Sequence, residues 1–367
     1  MTGKTRSGRF GKFLKQLRGE AETGPSRPER RTLLAGLLAA PFALAQDMEK
    51  PPASLTPMEG AVDGMSGATV QHWLSRPLEP VNGVLPKGKI GTLEISRLIF
   101  GSNLIGGYAH SRDLIYVSDL FKAYNTESKV FETLYLAEKA GINTMITPSH
   151  ELPLIQKYRR TTGGAMQTMV QVYEKNGSFV PDIDEAIKNG ADTLYLQGGV
   201  TDRLVQAGKI DILHEAIRHI QERGYPAGVG GHSIKTPRIC EERDIGADYY
   251  VKTCHHDRYW SAHPRENRVE FSIVGPNLPD HNSYHDNIFD LFPEETVAYM
   301  ETVKKPWVGF KVLAGGAIPP RDGFQYAFSN GADFICVGIL DFQINEDVNI
   351  ALDTLAAIKE RKRPWYG

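Results

Sequence analysis

A single parallel (β/α)8 barrel of the TIM-barrel class is the fold this sequence predicts, on three observations. Four helix-to-strand junctions repeat one pattern: Gly141-Ile142-Asn143, Gly190-Ala191-Asp192, Gly246-Ala247-Asp248 and Gly331-Ala332-Asp333 each stand before a β-rich apolar run. Glycine ends a helix there because it takes the left-handed conformation at no steric cost. Eight such runs fall at about 97–102, 142–147, 166–172, 193–197, 227–232, 249–254, 307–313 and 334–339, with helical patterns between them such as Ser128–Lys139 and Lys209–Arg223. Helix alternating with buried strand means parallel βαβ units, and eight of them close a barrel over about 250 residues. Finally, no G-x-G-x-x-G follows the first strand, which leaves the alternative, an open doubly wound sheet with a dinucleotide site, without support.

The chain divides into an amino-terminal segment of residues 1–45, a proline-rich extension of residues 46–88 and the barrel of residues 89–367. The first segment holds Lys4, Arg6, Arg9, Lys12, Lys15 and Arg18, then Arg30-Arg31, an apolar run from Leu33 to Ala45 and the small-residue site Ala43-Leu44-Ala45. That order is an export signal, and Arg30-Arg31-Thr32-Leu33-Leu34 resembles a twin-arginine signal, with Glu29 ahead of the pair. The apolar run is short of the ~20 residues that span a bilayer, so no stable membrane insertion is expected. The expected partner is the twin-arginine export machinery, and the expected location is the periplasm or outside the cell. A net charge of -2 gives no reason to expect a nucleic-acid partner. Cys240, Cys254 and Cys336 are too few and too scattered for a disulfide framework or a C-x-x-C zinc site.

In such barrels the chemistry sits at the carboxyl ends of the strands. Two loops there are long, residues 103–127 and 255–293. The second carries His255, His256, His263, His281 and His285. Alternation along each strand predicts that Tyr250, Lys252 and Cys254 point inward on the sixth strand, Gly309 and Lys311 on the seventh, and Gly228, Gly230 and His232 on the fifth. Tyr249, Val251, Val308, Phe310 and Val312 then face the helices. Asn103, Thr147, Gln171 and Gln197 are the interior positions of strands one to four. A buried ammonium is costly unless paired, and two close together lower each other's proton affinity. One neutral lysine would then be a nucleophile for carbonyl carbon. The alternative is that a loop carboxylate, Asp257, Glu174 or Asp341, neutralises both.

Strands six to eight resemble class I aldolases, deoxyribose-phosphate aldolase in particular. The residues that carry the likeness are Gly246-Ala247-Asp248-Tyr249-Tyr250-Val251-Lys252-Thr253, then Gly309-Phe310-Lys311 and Gly315-Gly316. The resemblance implies that Lys252 forms a Schiff base and Lys311 tunes it, although Cys254-His255-His256 replaces the family's Ser-Thr-Gly. Gly315 and Gly316 also look like a phosphate-binding turn. The start of the barrel resembles the aldo/keto reductases instead, through Ile90-Gly91, Leu93–Gly101, Gly106-Gly107 and Ala140–Asn143. That likeness implies a hairpin ahead of the first strand. The family's tetrad is not matched: Thr147 stands at the Asp position, Pro148-Ser149-His150 replaces the Tyr region, and Gln171 and Gln197 hold the Lys and His positions. Reduction by that route lacks its proton donor, and no NAD(P) is expected.

A metal centre is the other reading. His232, Cys254, His256 and His150, at strand ends, are ligand types for zinc or manganese. The expected activity is that of a lyase on a carbonyl-bearing, carbohydrate-derived small molecule. Lys252 and Lys311 are its catalytic pair, His232 or His256 moves protons, and Asn103, Gln171, Gln197, Gly315 and Gly316 bind substrate. A metal-dependent hydrolase, hydratase or isomerase, an altered aldo/keto reductase and a non-catalytic binding barrel remain open.

Overall fold

The computed structural model describes residues 80–108, 114, 116–271 and 289–367. The expected leader, most of the 46–88 extension, His281 and His285 lie outside the described residues. A hairpin of β1 (Lys87–Ile90) and β2 (Leu93–Ser96) comes first. Eight parallel strands then close a barrel: β3 (Leu98–Gly101), β4 (Thr144–Pro148), β5 (Gln167–Val172), β6 (Thr193–Leu196), β7 (Ala227–Gly231), β8 (Tyr249–Thr253), β9 (Trp307–Phe310) and β10 (Phe334–Val337), with β10 pairing β3. All eight fall within or next to the expected runs.

Helices α1 (Asn103–Gly106), α2 (Val117–Tyr124) and α3 (Glu127–Lys139) follow β3, and α4 (Leu152–Thr162) and α5 (Val180–Lys188) follow β4 and β5. Next, α6 (Gly198–Gln206) and α7 (Ile210–Glu222) follow β6, and α8 (Lys235–Glu242) follows β7. The last three, α9 (Pro293–Met300), α10 (Pro320–Ser329) and α11 (Ile344–Ala357), follow β8, β9 and β10. Among the described residues no helix is long and apolar enough to cross a membrane.

The four repeated junctions do two jobs. Gly141, Gly190, Gly246 and Gly331 all have positive φ. The Asn or Asp two residues later accepts a backbone N–H within two residues of the start of the preceding barrel strand. Asn143 takes Ser96 N at 2.8 Å, Asp192 takes Thr168 N at 2.7 Å, Asp248 takes Ala227 N at 2.8 Å and Asp333 takes Trp307 N at 2.9 Å. These N–H groups would otherwise lack a partner at the barrel's amino-terminal edge. Asp248→Ala is therefore expected to cost about 1–3 kcal/mol, measured by urea unfolding, whereas an unchanged midpoint would mean water replaces the carboxylate.

Two buried clusters separate the layers. Inside the barrel lie Ile99, Ile146, Met169, Tyr195, Tyr249, Val251, Val308 and Phe334, closed from below by Ile90 and Ile95 of the hairpin. Between strands and helices lie Leu98, Met145, Val170, Leu194, Val229, Tyr250, Cys254 and Trp307. The expected alternation on the sixth and seventh strands is thus reversed. Tyr249, Val251, Val308 and Phe310 face in, whereas Tyr250 and Cys254 face the helices. Thr147 shares the outer side with Met145. The cause is volume: a small barrel is filled by bulky side chains. Gly228 leaves the room for Tyr249, whose ring would stand 2.5 Å from any Cβ there. The Tyr249 hydroxyl is satisfied inside by Thr193 Oγ1 at 3.0 Å and the Leu194 carbonyl at 2.9 Å.

The floor is tied to the carboxyl-terminal tail. Arg97, just ahead of β3, donates to the Asp333 carbonyl at 2.9 Å and to the Gly367 carbonyl at 2.8 Å. Its guanidinium also lies 4.1 Å from the Trp365 ring centroid, and Arg361 covers the same ring at 3.2 Å.

Candidate active site

At the carboxyl end of β7 stands a carboxylate–histidine pair. Asp202, buried on α6, accepts the backbone N–H of His232 at 2.9 Å and pairs with His232 Nδ1 at 2.9 Å. Thr236 Oγ1 donates to its other oxygen at 2.6 Å. The carboxylate therefore holds the ring with Nδ1 protonated and Nε2 carrying the lone pair. Among the described residues no hydrogen bond reaches Nε2. The ring lies 5.3 Å from that of Phe310, which faces into the barrel. Burial pushes the His232 imidazole below the usual histidine value; Asp202 acts the other way, and Lys311 and Lys252 lower it further. A neutral imidazole with a free lone pair can take a proton. The start of α6 comes close enough that a Cβ on Gly198 would lie 3.4 Å from His232 Cε1.

Lys311 reaches the same face by an unusual path. Strand parity alone would send it outward with Gly309. Its φ of 56° turns the chain, and Ala314, Gly315 and Gly316 also have positive φ. Such conformations are costly for non-glycine residues and concentrate at functional sites. The Lys311 ammonium lies 4.3 Å from the Phe289 ring centroid and 5.7 Å from that of Phe310. Its charge acts on His232 and on Cys336, a thiol that burial pushes up to about 12.

Lys252 is placed differently. It is 1% exposed, and its Nζ donates to Thr253 Oγ1 at 2.6 Å, the Thr253 carbonyl at 3.1 Å and Asp290 Oδ1 at 3.2 Å. Three donors meet three acceptors, the arrangement of a buried ammonium in an ion pair. The neutralising carboxylate is Asp290 and not the expected Asp257, Glu174 or Asp341. Asp257 is held by Arg265 and Arg268, Asp341 by Lys129 and Tyr124, and Glu174 takes the Gly177 N–H. His255 fixes Asp290: its Nδ1 donates to the His256 carbonyl at 2.8 Å, and its Nε2 accepts from Phe289 N and Asp290 N. Burial holds His255 down to about 3, so it stays neutral.

The four candidate metal ligands are not brought together. His150 Nε2 meets the Tyr108 hydroxyl at 3.1 Å, and His256 meets Asp322 of α10 at 3.0 Å. Cys254 lies in the outer layer and His232 belongs to Asp202. Among the described residues no group of three or more His, Cys, Asp or Glu could hold a metal ion. Of the expected substrate positions, Gln171 is reached by the Tyr195 hydroxyl at 3.4 Å, inside the barrel. Gln197 Oε1 caps α6 through Val200 N at 2.8 Å. Gly315 and Gly316 form an exposed left-handed turn after β9, and half-buried Asn103 opens α1.

Sequence reasoning missed Asp202, Asp290 and Phe289. Asp202 left one signal, an acid on the buried face of a helix rich in Val and Leu. Glu151, after β4, accepts from Thr147 Oγ1 at 2.9 Å, and burial raises its carboxyl above the usual range. Among the described residues, one cavity of about 410 Å³ lies at the rim of β4 and β5, and another of about 460 Å³ lies between α10 and α11.

No protein-family model and no curated protein matches this sequence. Similar solved structures include a chain described as an aldo-keto reductase from Pseudomonas aeruginosa. It is 15% identical, covers 75% of this chain and 98% of its own length, and has a TM-score of 0.50. Another is described as a deoxyribose-phosphate aldolase from Coccidioides immitis; it is 10% identical, with coverage of 76% and 95% and a TM-score of 0.38. The first likeness is one of fold, a (β/α)8 barrel.

Proposed function

We propose that the barrel is a lyase-type enzyme that removes a proton next to the carbonyl of a small molecule, with His232 as base and Lys311 as the group facing the carbonyl. The observation that carries this reading is the Asp202–His232 pair at the strand ends, with its lone pair open and Lys311 near enough to act on it electrostatically. In the step, His232 Nε2 takes the α-proton, the C–H electron pair becomes the C=C bond of an enolate, and the carbonyl π pair moves to the oxygen. The Lys311 ammonium, held over Phe289 and Phe310, stabilises that oxyanion. Return of the electrons expels a β-oxygen substituent with its bonding pair, which breaks the C–O bond and leaves an α,β-unsaturated carbonyl, and the protonated His232 gives its proton to the departing oxygen. Lys252 is not the lysine in this role, because it is buried in its ion pair with Asp290. An iminium on Lys311 would serve as the same electron sink.

Deuterium exchange tests the step without knowledge of the leaving group. A panel of ketoses and 2-oxo acids in D₂O should lose α-proton NMR signal with the wild type and keep it with His232→Gln. Equal rates for the two proteins, or no exchange across the panel, would sink the assignment. Borohydride trapping followed by peptide mass analysis separates the electrostatic from the covalent role of Lys311.

The pH dependence follows from the sign of the shift. The base must be unprotonated, and its proton affinity is lowered. Activity should therefore hold from neutral pH downward and fall only below the usual histidine value of about 6.5. A kcat/KM acid limb centred above 6.5 would assign the base elsewhere. For the leader, its basic, apolar and small-residue order supports twin-arginine export. Replacing Arg30 and Arg31 by Lys should hold the protein in the cytoplasm, read by cell fractionation.

A further inference from the structure

We propose that the rim cavity between β4 and β5 is a subsite for a neutral, polyhydroxylated ring, the pyranose part of a glycoside. This deepens the reading above, because the cavity opens on the same face as the Asp202–His232 pair and would hold the part of the substrate that does not react. Its volume of about 410 Å³ lies within the ~300–1,000 Å³ usual for small-molecule sites.

The walls carry two kinds of group. Tyr173, half-buried after β5, and Tyr108, half-exposed after α1, offer ring faces and hydroxyls. The Tyr108 hydroxyl is positioned by His150 Nε2 at 3.1 Å. An aromatic body with a polar tip suits a ring that has an apolar C–H face and a hydroxylated edge.

The floor is built rather than incidental. Asp182 has a side chain 2% exposed and ties three elements of the site together. Its Oδ2 accepts from Ser149 Oγ at 2.9 Å and from Tyr173 N at 2.8 Å, and its Oδ1 pairs with Lys175 Nζ at 2.7 Å. The exposed Glu185 carboxylate lies 3.6 Å from the same ammonium.

The charges set the class of ligand. One ammonium faces two carboxylates, so a phosphate or carboxylate ligand meets net repulsion, while neutral hydroxyls find donors and acceptors at once. A phosphorylated sugar is therefore the wrong ligand for this cavity.

Titration of the full chain with methyl β-D-glucopyranoside and with D-glucose 6-phosphate, read by saturation-transfer NMR, tests the subsite. The glycoside should bind and the phosphate should bind more weakly. Tyr173→Ala should weaken the glycoside about tenfold or more, and Tyr173→Phe should retain most of the binding. Glu185→Gln, at an exposed position that does not threaten folding, should narrow the gap between the two ligands. His232→Gln should bind the glycoside as the wild type does, which separates failure of the subsite from failure of the base assignment. Tighter binding of the phosphate, no glycoside binding, indifference to Tyr173→Ala in a folded variant, or loss of binding in His232→Gln alone would each overturn the proposal.

Discussion

His232→Gln is expected to lower kcat by roughly 10²–10⁴-fold, the range that a positioned general base supplies, while KM changes little. The reason is geometric. The substitution leaves Asp202 with the backbone N–H of residue 232 and the Thr236 hydroxyl, so the loop should keep its shape. What goes is the nitrogen lone pair. Asp202→Asn should act through the ring: without the carboxylate nothing enforces the tautomer with its lone pair at Nε2, so kcat should again fall while binding persists. A purely structural role for Asp202 would instead lower the unfolding midpoint and leave kcat per folded molecule intact. Steady-state kinetics on the exchange reaction, with unfolding curves on the same samples, distinguishes the two.

Lys252→Met should show the opposite profile, a large loss of stability. Asp290 would stay buried without its ion pair, at a cost of about 3–5 kcal/mol. The loss carries a pH signature. Burial already raises the Asp290 carboxyl above the ordinary aspartate value, and Lys252 opposes that. With the lysine gone, the folded-state value rises further. A raised aspartate favours the folded state while protonated, so stability is retained at low pH and lost as pH climbs through the folded value. The variant should therefore be least impaired below the ordinary aspartate value of about 3.9 and increasingly impaired as pH rises above it. Adding Asp290→Asn should recover much of the loss at high pH. A Lys252→Met protein as stable as the wild type, with activity gone, would return the nucleophile's role to Lys252.

The contrast between these lysines shows what a sequence discloses. Strand positions were legible because Gly at a helix end and a β-rich run are local signals, and β3 to β10 fell where those signals stand. The facing of the strands was not. The alternation rule says that residues alternate, not which set goes inward, and polarity was a poor guide because Tyr249 meets its hydroxyl's needs inside the barrel. The aldolase likeness singled out Lys252, whose partner Asp290 lies 38 residues on, beyond any local pattern. His232 was legible as a strand-end residue. Its partner Asp202 was not, because an acid on the buried face of a helix discloses nothing of which strand end it meets. Lys311 reached the strand-end face for a reason that no periodicity contains, a left-handed residue directly after a strand.

The bonds from Arg97 to the Asp333 and Gly367 carbonyls span 236 and 270 residues. During synthesis these partners arrive long after Arg97. At ~5–20 residues per second, roughly 15–50 s separate the emergence of β3 from that of its tail clamp. Through that interval β3 lacks its neighbour β10, and its open edge is a surface on which other chains could pair. Quality control of this protein is then a question of timing, a delay to be bridged by chaperones before the ring of strands can shut. Ribosome-arrested chains that stop before Trp365 should stay sensitive to protease, while released chains that include Gly367 become resistant. Resistance in the shorter chains would show that the ring shuts without its clamp.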